Sequence, residues 1–212
     1  MILEPHGGWD NPGLSTFHAM GTPKEIEKSL KARHKIIFNM RDPRDRIISY
    51  AFKLKSYKPQ LCKDIQHDSI ETLSLNVMRH YGTMTYKYLT PRAHYYKDMG
   101  DFSEYYRAYF PWFKYPQLLI VYFENLVGPQ AGGSTERQIN EIKRIATFLE
   151  VPVSDEEAAK IAANIYGDTT SFRNPQIGIW KKYFGRKHKR AFKSTIMAKF
   201  LINFGYAENN KW

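Results

Sequence analysis

The sequence predicts a mixed α/β fold, rich in helix and short of strands. Three observations carry that expectation. Two compact runs of β-forming apolar residues, 35–40 (KIIFNM) and 117–123 (QLLIVYF), read as buried strands. Several other segments place apolar residues at helical spacing behind recognisable start signals. The composition, 42% hydrophobic with 25% charged residues and 15% aromatics, is that of a folded chain with a packed interior.

Residues 1–21 carry Gly, Pro and few periodic apolar positions, and read as loop. Thr22-Pro23-Lys24-Glu25 has the form of a capping box with Pro at the first helical position, opening a helix to about Ala32. After the first strand, Asp42 is a good N-cap, Pro43 suits the first helical position, and Asp45 sits where an acid favours the helix dipole. That helix runs from Pro43 to about Lys55, with Ile47, Ile48, Ala51, Phe52 and Leu54 on one face. Asp68 or Ser69 opens a Leu- and Tyr-rich helix toward Leu89, and 90–100 reads as loop. Phe102 to Phe110 reads as helix stopping before Pro111. The second strand is followed by a Gly128–Gly133 loop. Thr135 to Val151 is amphipathic, with Ile139, Ile142, Ile145, Ala146 and Leu149 on one stripe. Ser154-Asp155-Glu156-Glu157 caps the next helix. Residues 166–188 read as irregular, and 189–204 as a last helix. No repeat, low-complexity segment or linker divides the chain, so 1–212 is expected to be a single domain.

The 212 residues hold 32 Lys and Arg against 21 Asp and Glu, a formal charge of +11. Such a balance points to an anionic partner: nucleic acid, a membrane surface or a small polyanion such as a nucleotide. It also suits a solvated basic surface. The aromatics are not interleaved with Lys and Arg as in a nucleic-acid module, which argues against that partner. The single cysteine, Cys62, excludes an internal disulfide and fits a reducing compartment. No apolar run reaches the roughly 18 residues needed to span a bilayer, and the first residues lack a signal-peptide pattern. A cytoplasmic location is the expectation. His67, His80, His94 and His188 have no ligand spacing, so no metal is expected.

The unit at 35–55 has a chemical logic. Open α/β sheets bind ligands beyond the carboxyl ends of their strands, and a helix N-terminus there offers free N–H groups to an anion. Arg41 stands at that strand end, with a guanidinium able to grip phosphate in bidentate fashion. Ser49, two turns into the helix, has a hydroxyl to donate to the same anion. The same residues also suit an ordinary strand–helix junction with a surface Arg. A second basic segment, Phe172 to Lys182, mixes Arg, Gly and Trp in an irregular stretch and suits a ligand-facing loop.

These residues resemble a family. RDPRDRIISYAF resembles the 3′-phosphate motif of sulfotransferases that use 3′-phosphoadenosine 5′-phosphosulfate (PAPS): Arg, then Asn/Asp-Pro-Lys/Arg-Asp, then Ser eight positions after the Arg. Arg41 and Ser49 match. FRNPQIGIWKKYF resembles that family's Phe-Arg-Lys-Gly-x-x-Gly-x-Trp-Lys loop, with Arg173, Gly178, Trp180 and Lys181 matching. LLIVYFENL resembles its strand ending in Tyr-Glu-Asp-Leu, and FLINFGYAENNKW is similar to the C-terminal helix of prokaryotic members. The resemblance runs in order from about His18 to the end. It implies a P-loop-NTPase-like fold, a parallel sheet flanked by helices, with a missing or altered first strand–loop–helix. It implies PAPS as co-substrate, and a small-molecule or carbohydrate hydroxyl or amine as acceptor. Arg41, Ser49, Phe123, Phe172, Arg173 and Asn174 would face the nucleotide. His18, in Thr16-Phe17-His18, would be the general base, a role suited to a side chain titrating near working pH.

The sequence also departs from the family. No segment matches the Pro-Lys-Ser/Thr-Gly-Thr-Thr-Trp loop that cradles the 5′-phosphosulfate; Pro5-His6-Gly7-Gly8-Trp9 shares a Pro, a Gly and a Trp but not the Lys. Lys-Gly of the second loop becomes Asn174-Pro175, and Pro175 has no N–H to donate. Two expectations follow: a fragment or divergent member that transfers sulfate, or a degenerate one that binds nucleotide or polyanion without turnover.

Overall fold

A computed structural model describes residues 20–56, 63–89, 94–166 and 176–212. It is a helix-rich α/β structure around a small parallel sheet. Helix α1 (Pro23–Lys31) starts where Thr22 Oγ1 accepts the Glu25 N–H. Strand β1 (Ile36–Met40) leads directly into helix α2 (Pro43–Ser56). Asp42 caps that helix, its Oδ1 accepting the Arg44 N–H at 2.9 Å.

Strand β2 lies at Leu118–Tyr122. It pairs with β1 in parallel, from Ile36 opposite Leu118 to Met40 opposite Tyr122. Parallel pairing needs a crossover, and the whole helical block between the strands supplies it. The register has one consequence for function. It sets Arg41 and Phe123, each one residue past its strand, side by side at the same sheet edge. The outer flank of β2 is covered by α7 (Thr135–Leu149): Glu141 accepts the Tyr122 N–H, and Arg144 donates to the Ile120 carbonyl. Helix α8 (Asp155–Ile165) follows behind a complete Ser154–Glu157 capping box and packs Ala158 and Ala162 on Ile142.

Most of the core lies on the other side of α2. Ile47, Ile48, Ala51 and Leu54 are fully buried there, against α3 (Ile70–Arg79), α4 (Tyr81–Met84) and α5 (Phe102–Arg107). Here the structure corrects the sequence reading. The single helix expected to Leu89 breaks at His80 and resumes as α4 and a π-turn at Thr85–Leu89. Gly82 explains the break. A Cβ there would sit 1.8 Å from the Met99 carbonyl oxygen, so only glycine lets this backbone dock against the 96–100 segment. The Gly82 N–H bonds to Gly100 O at 3.1 Å across that contact. Likewise the last α-helical turn before Pro111 ends at Arg107, and a 3₁₀ turn at Phe110–Lys114 takes in the proline.

The tyrosines of this region fill the core. Tyr81, Tyr88 and Tyr96 are buried, and the Arg46 guanidinium lies 4.4 Å over the Tyr105 ring and donates to its hydroxyl.

The C-terminal part holds α6 (Phe123–Leu126), which directly continues β2, then α9 (Trp180–Tyr183), α10 (Arg186–Lys193) and α11 (Met197–Asn203). The region expected to be irregular to 188 is therefore helical from Trp180. The single helix expected at 189–204 is two, because the chain turns at Ser194–Ile196, where the Thr195 hydroxyl accepts the Met197 N–H.

His188 ties α10 to α3. Its Nε2 lies 2.9 Å from the Glu71 carbonyl and 3.0 Å from Ser74 Oγ, and its ring stacks on Phe184. The carbonyl accepts only, so Nε2 carries the proton. Burial, aided by the charge of Arg79, holds this imidazole below its ordinary 6.5. The unfolded chain therefore binds a proton that the folded chain refuses. This contribution to stability is full above pH 6.5, declines as pH falls toward the lowered folded value, and is level below it. Urea midpoints between pH 7.5 and 5 are expected to fall more steeply for the wild type than for His188→Gln; parallel curves would refute the assignment.

Candidate functional site

The site forms where β1 and β2 end. Arg41 leaves β1 and its guanidinium packs on the Phe123 ring, 4.4 Å from the centroid. Its Nη2 also approaches the Gln176 carbonyl at 3.4 Å. Three carboxylates hold the arrangement from behind. Burial pulls the Arg41 guanidinium down, while the charges of Asp45, Glu124 and Asp42 push it back up.

Asp45 does more than favour the helix dipole. Its side chain is fully buried in the first turn of α2. Its Oδ2 accepts the Gly178 N–H at 2.7 Å and its Oδ1 the Trp180 N–H at 2.9 Å. One carboxylate thereby fastens the 176–180 turn to the end of β1. Burial pushes its pKa up, against the pull of the two N–H donors and Arg41. Gly178 sits at φ +77°, a conformation glycine adopts without strain.

Glu124 fastens the other strand. Its Oε1 accepts the Asp42 N–H at 2.8 Å, and its Oε2 accepts the Tyr206 hydroxyl at 3.2 Å. Burial raises the Glu124 pKa, and burial together with the Glu124 charge raises that of Tyr206. The chain after α11 thus closes onto the same junction.

Arg44 completes it. The side chain is buried and pairs with Asp42 through both carboxylate oxygens, Nε to Oδ1 at 3.0 Å and Nη2 to Oδ2 at 2.7 Å. Nη2 also donates to the Tyr206 carbonyl at 2.8 Å. The guanidinium sits in the corner of two perpendicular, touching indoles, 4.1 Å from Trp180 and 4.8 Å from Trp212. Trp180 packs beneath the 176–180 turn, with Arg44 as its partner.

An adjoining cleft of about 720 Å³ is lined by Tyr122, Glu124, Arg137, Lys181 and Tyr206 among others. Arg41, Ser49 and Phe123 do not line it. Ser49 is half-buried on α2, two turns beyond Arg41. Of the residues singled out in the sequence, Arg41 and Phe123 are in contact. His18, Phe172, Arg173 and Asn174 lie outside the described residues, as does Pro175. Sequence reading passed over Arg44, Glu124, Tyr206 and Trp212 as site residues. The Asp42-x-Arg44 spacing at a helix start was the one available signal.

Chemically, the junction presents a fixed guanidinium on an aromatic face, at the carboxyl end of a parallel sheet and beside a helix N-terminus. That combination suits a phosphate ester carrying a flat ring. No curated protein and no solved structure matches the chain. The model of the sulfotransferase domain matches residues 14–201, which takes in every element from α1 to most of α11. The parallel strands, the Arg41 junction and the 176–181 turn all fall inside that match, and the chain belongs to the sulfotransferase domain family, a family of enzymes that transfer sulfuryl groups.

Proposed function

We propose that this transferase takes its sulfuryl group from PAPS and delivers it to a hydroxyl or amine of a small-molecule or carbohydrate acceptor. In this reading Arg41, Ser49 and Arg173 hold the 3′-phosphate, Phe172 and Asn174 complete that loop, and Phe123 borders the adenine. The observation that carries it is the placement of Arg41: a half-buried guanidinium, backed by Asp45 and stacked on Phe123, at the paired ends of two parallel strands. The acceptor oxygen or nitrogen bonds to sulfur as the bond from sulfur to the 5′-phosphate oxygen breaks. The acceptor proton passes to His18, and adenosine 3′,5′-bisphosphate leaves. Preorganised positive charge stabilises such an in-line transfer.

The test is transfer of labelled sulfate from PAPS to a panel of alcohols, phenols and amines. Wild type is expected to transfer and His18→Ala to lose most of the rate; equal rates remove His18 from the mechanism. Arg41→Ala is expected to weaken adenosine 3′,5′-bisphosphate binding by roughly ten- to a hundredfold, the worth of a charge-assisted phosphate contact. Unchanged affinity by calorimetry would remove Arg41 from the nucleotide site.

A second reading, nucleotide binding without turnover, is motivated by one observation: no segment of the sequence matches the phosphosulfate loop. Bisphosphate binding without transfer to any acceptor would favour it.

A further inference from the structure

A second cleft, of about 730 Å³, opens between α3, α10 and the start of α5, and shares no lining residue with the cleft beside the nucleotide junction. Its floor is apolar, formed by Leu75, Met78 and Ala191. Its rim carries four exposed cations: Arg79 from α3, and Arg186, Lys187 and Arg190 from α10. Among the described residues none of the four makes an ion pair. The one carboxylate in the lining, Asp101, is already committed. Its Oδ1 accepts the N–H groups of Ser103 and Glu104 and the Ser103 hydroxyl, capping α5. Its single negative charge faces four cations, so the lining keeps an excess of positive charge.

The placement of two of these cations opposes helix stability. Arg186 and Lys187 stand in the first turn of α10, where the helix dipole disfavours positive charge, and the N-cap, Gly185, supplies no side-chain acceptor. Helix formation alone would select acids or a Ser, Thr, Asp or Asn cap here. An anion seated in the cleft would satisfy the rim and the helix end together.

We propose that this cleft binds a small amphipathic anion: an apolar body on Leu75, Met78 and Ala191, with a sulfate, sulfonate, carboxylate or phosphate head held by Arg79, Arg186, Lys187 and Arg190. Its volume falls within the range of small-ligand sites, about 300–1,000 Å³. The mixture of an apolar floor and a few convergent polar groups is the usual composition of such sites. Four cations around one floor favour an anion over a neutral or cationic occupant. The three apolar residues distinguish the cleft from a site for a bare inorganic anion.

The probe is naphthalene-1-sulfonate, titrated calorimetrically into the full chain, with 1-naphthalenemethanol and inorganic sulfate as comparisons. One equivalent of the sulfonate is expected to bind, and each comparison to bind at least about tenfold more weakly. Arg186→Ala/Arg190→Ala is expected to lose about tenfold or more in sulfonate affinity, the loss of charge-assisted contacts, and to melt no lower than wild type, because first-turn charge has been relieved. Arg79→Gln on α3 tests the rim from the opposite wall and is expected to weaken binding as well. Arg41→Ala, on the nucleotide junction, is expected to leave sulfonate affinity unchanged. Equal affinity for the neutral analogue, equal affinity in both rim variants, or loss of binding in Arg41→Ala would each overturn the proposal. None of these results depends on whether PAPS is the sulfuryl donor.

Discussion

Asp45→Ala is expected to lower the free energy of unfolding by roughly 2–6 kcal/mol and the melting temperature by about 10 °C. The carboxylate is fully buried and accepts two N–H groups, from Gly178 and Trp180. Alanine leaves both donors without their acceptor in a place where water replaces it poorly, and each such buried donor costs about 1–3 kcal/mol. The change also removes the largest favourable charge acting on Arg41. Asparagine tests the geometry. Its amide keeps one acceptor oxygen, but its NH₂ would face the other N–H donor, so Asp45→Asn should recover part of the loss and no more. Bisphosphate affinity should fall in both variants, because the 176–180 turn is no longer fixed against the end of β1. Thermal melts and calorimetry on the three proteins check this. A melting temperature for Asp45→Ala within about 2 °C of wild type, less than 1 kcal/mol for a chain of this size, would show that the turn is held by other contacts.

The fold was legible in the sequence where a local signal and the tertiary requirement agree. Both strands, and the starts of α1, α2, α7 and α8, follow from caps and apolar runs that the structure also uses. Legibility failed where a distant backbone intervenes. Within 70–89 Gly82 alone hints at the break at His80, and its reason lies at Tyr96 and Met99, whose carbonyls need the space that the glycine leaves open. The split at Ser194–Ile196 was hidden for a local reason: Ser and Thr are tolerated in a helix, and the Thr195 hydroxyl accepts the Met197 N–H only where the chain turns.

The site shows the same division. Arg41 was legible because a cation at a strand end before a capped helix has its own chemical sense. Asp45 was half-legible: its benefit to the helix start is local, whereas its grip on Gly178 and Trp180 spans more than 130 residues. Glu124 and Tyr206 carry no local sign of their roles, since each acts on a backbone or side chain 82 residues away.

Arg44→Ala should be nearly as damaging as the loss of Asp45, for a different reason. Removing one member of a buried ion pair strands the other, at about 3–5 kcal/mol. Here that leaves the Asp42 carboxylate, itself buried, without its bidentate partner. It also leaves the Tyr206 carbonyl without its donor and empties the corner formed by the Trp180 and Trp212 rings. Lysine should rescue little, because one ammonium cannot span two carboxylate oxygens, a carbonyl and two indole faces. The double variant Asp42→Asn/Arg44→Met should lose less than the two single changes added together, since it removes both charges. The effect should also reach the ligand. Arg41 precedes Asp42, and the Asp42 N–H is anchored on Glu124, so a displaced Asp42 moves the guanidinium proposed to hold the 3′-phosphate. Ile142→Ala, in the separate cluster between α7 and α8, provides a comparison of similar stability cost, about 2–5 kcal/mol, at a residue that does not line the junction. Arg44→Ala is expected to lose bisphosphate affinity and Ile142→Ala to keep it, both measured well below their melting temperatures. Equal affinities would mean that the Asp42–Arg44 pair supports the fold without positioning Arg41.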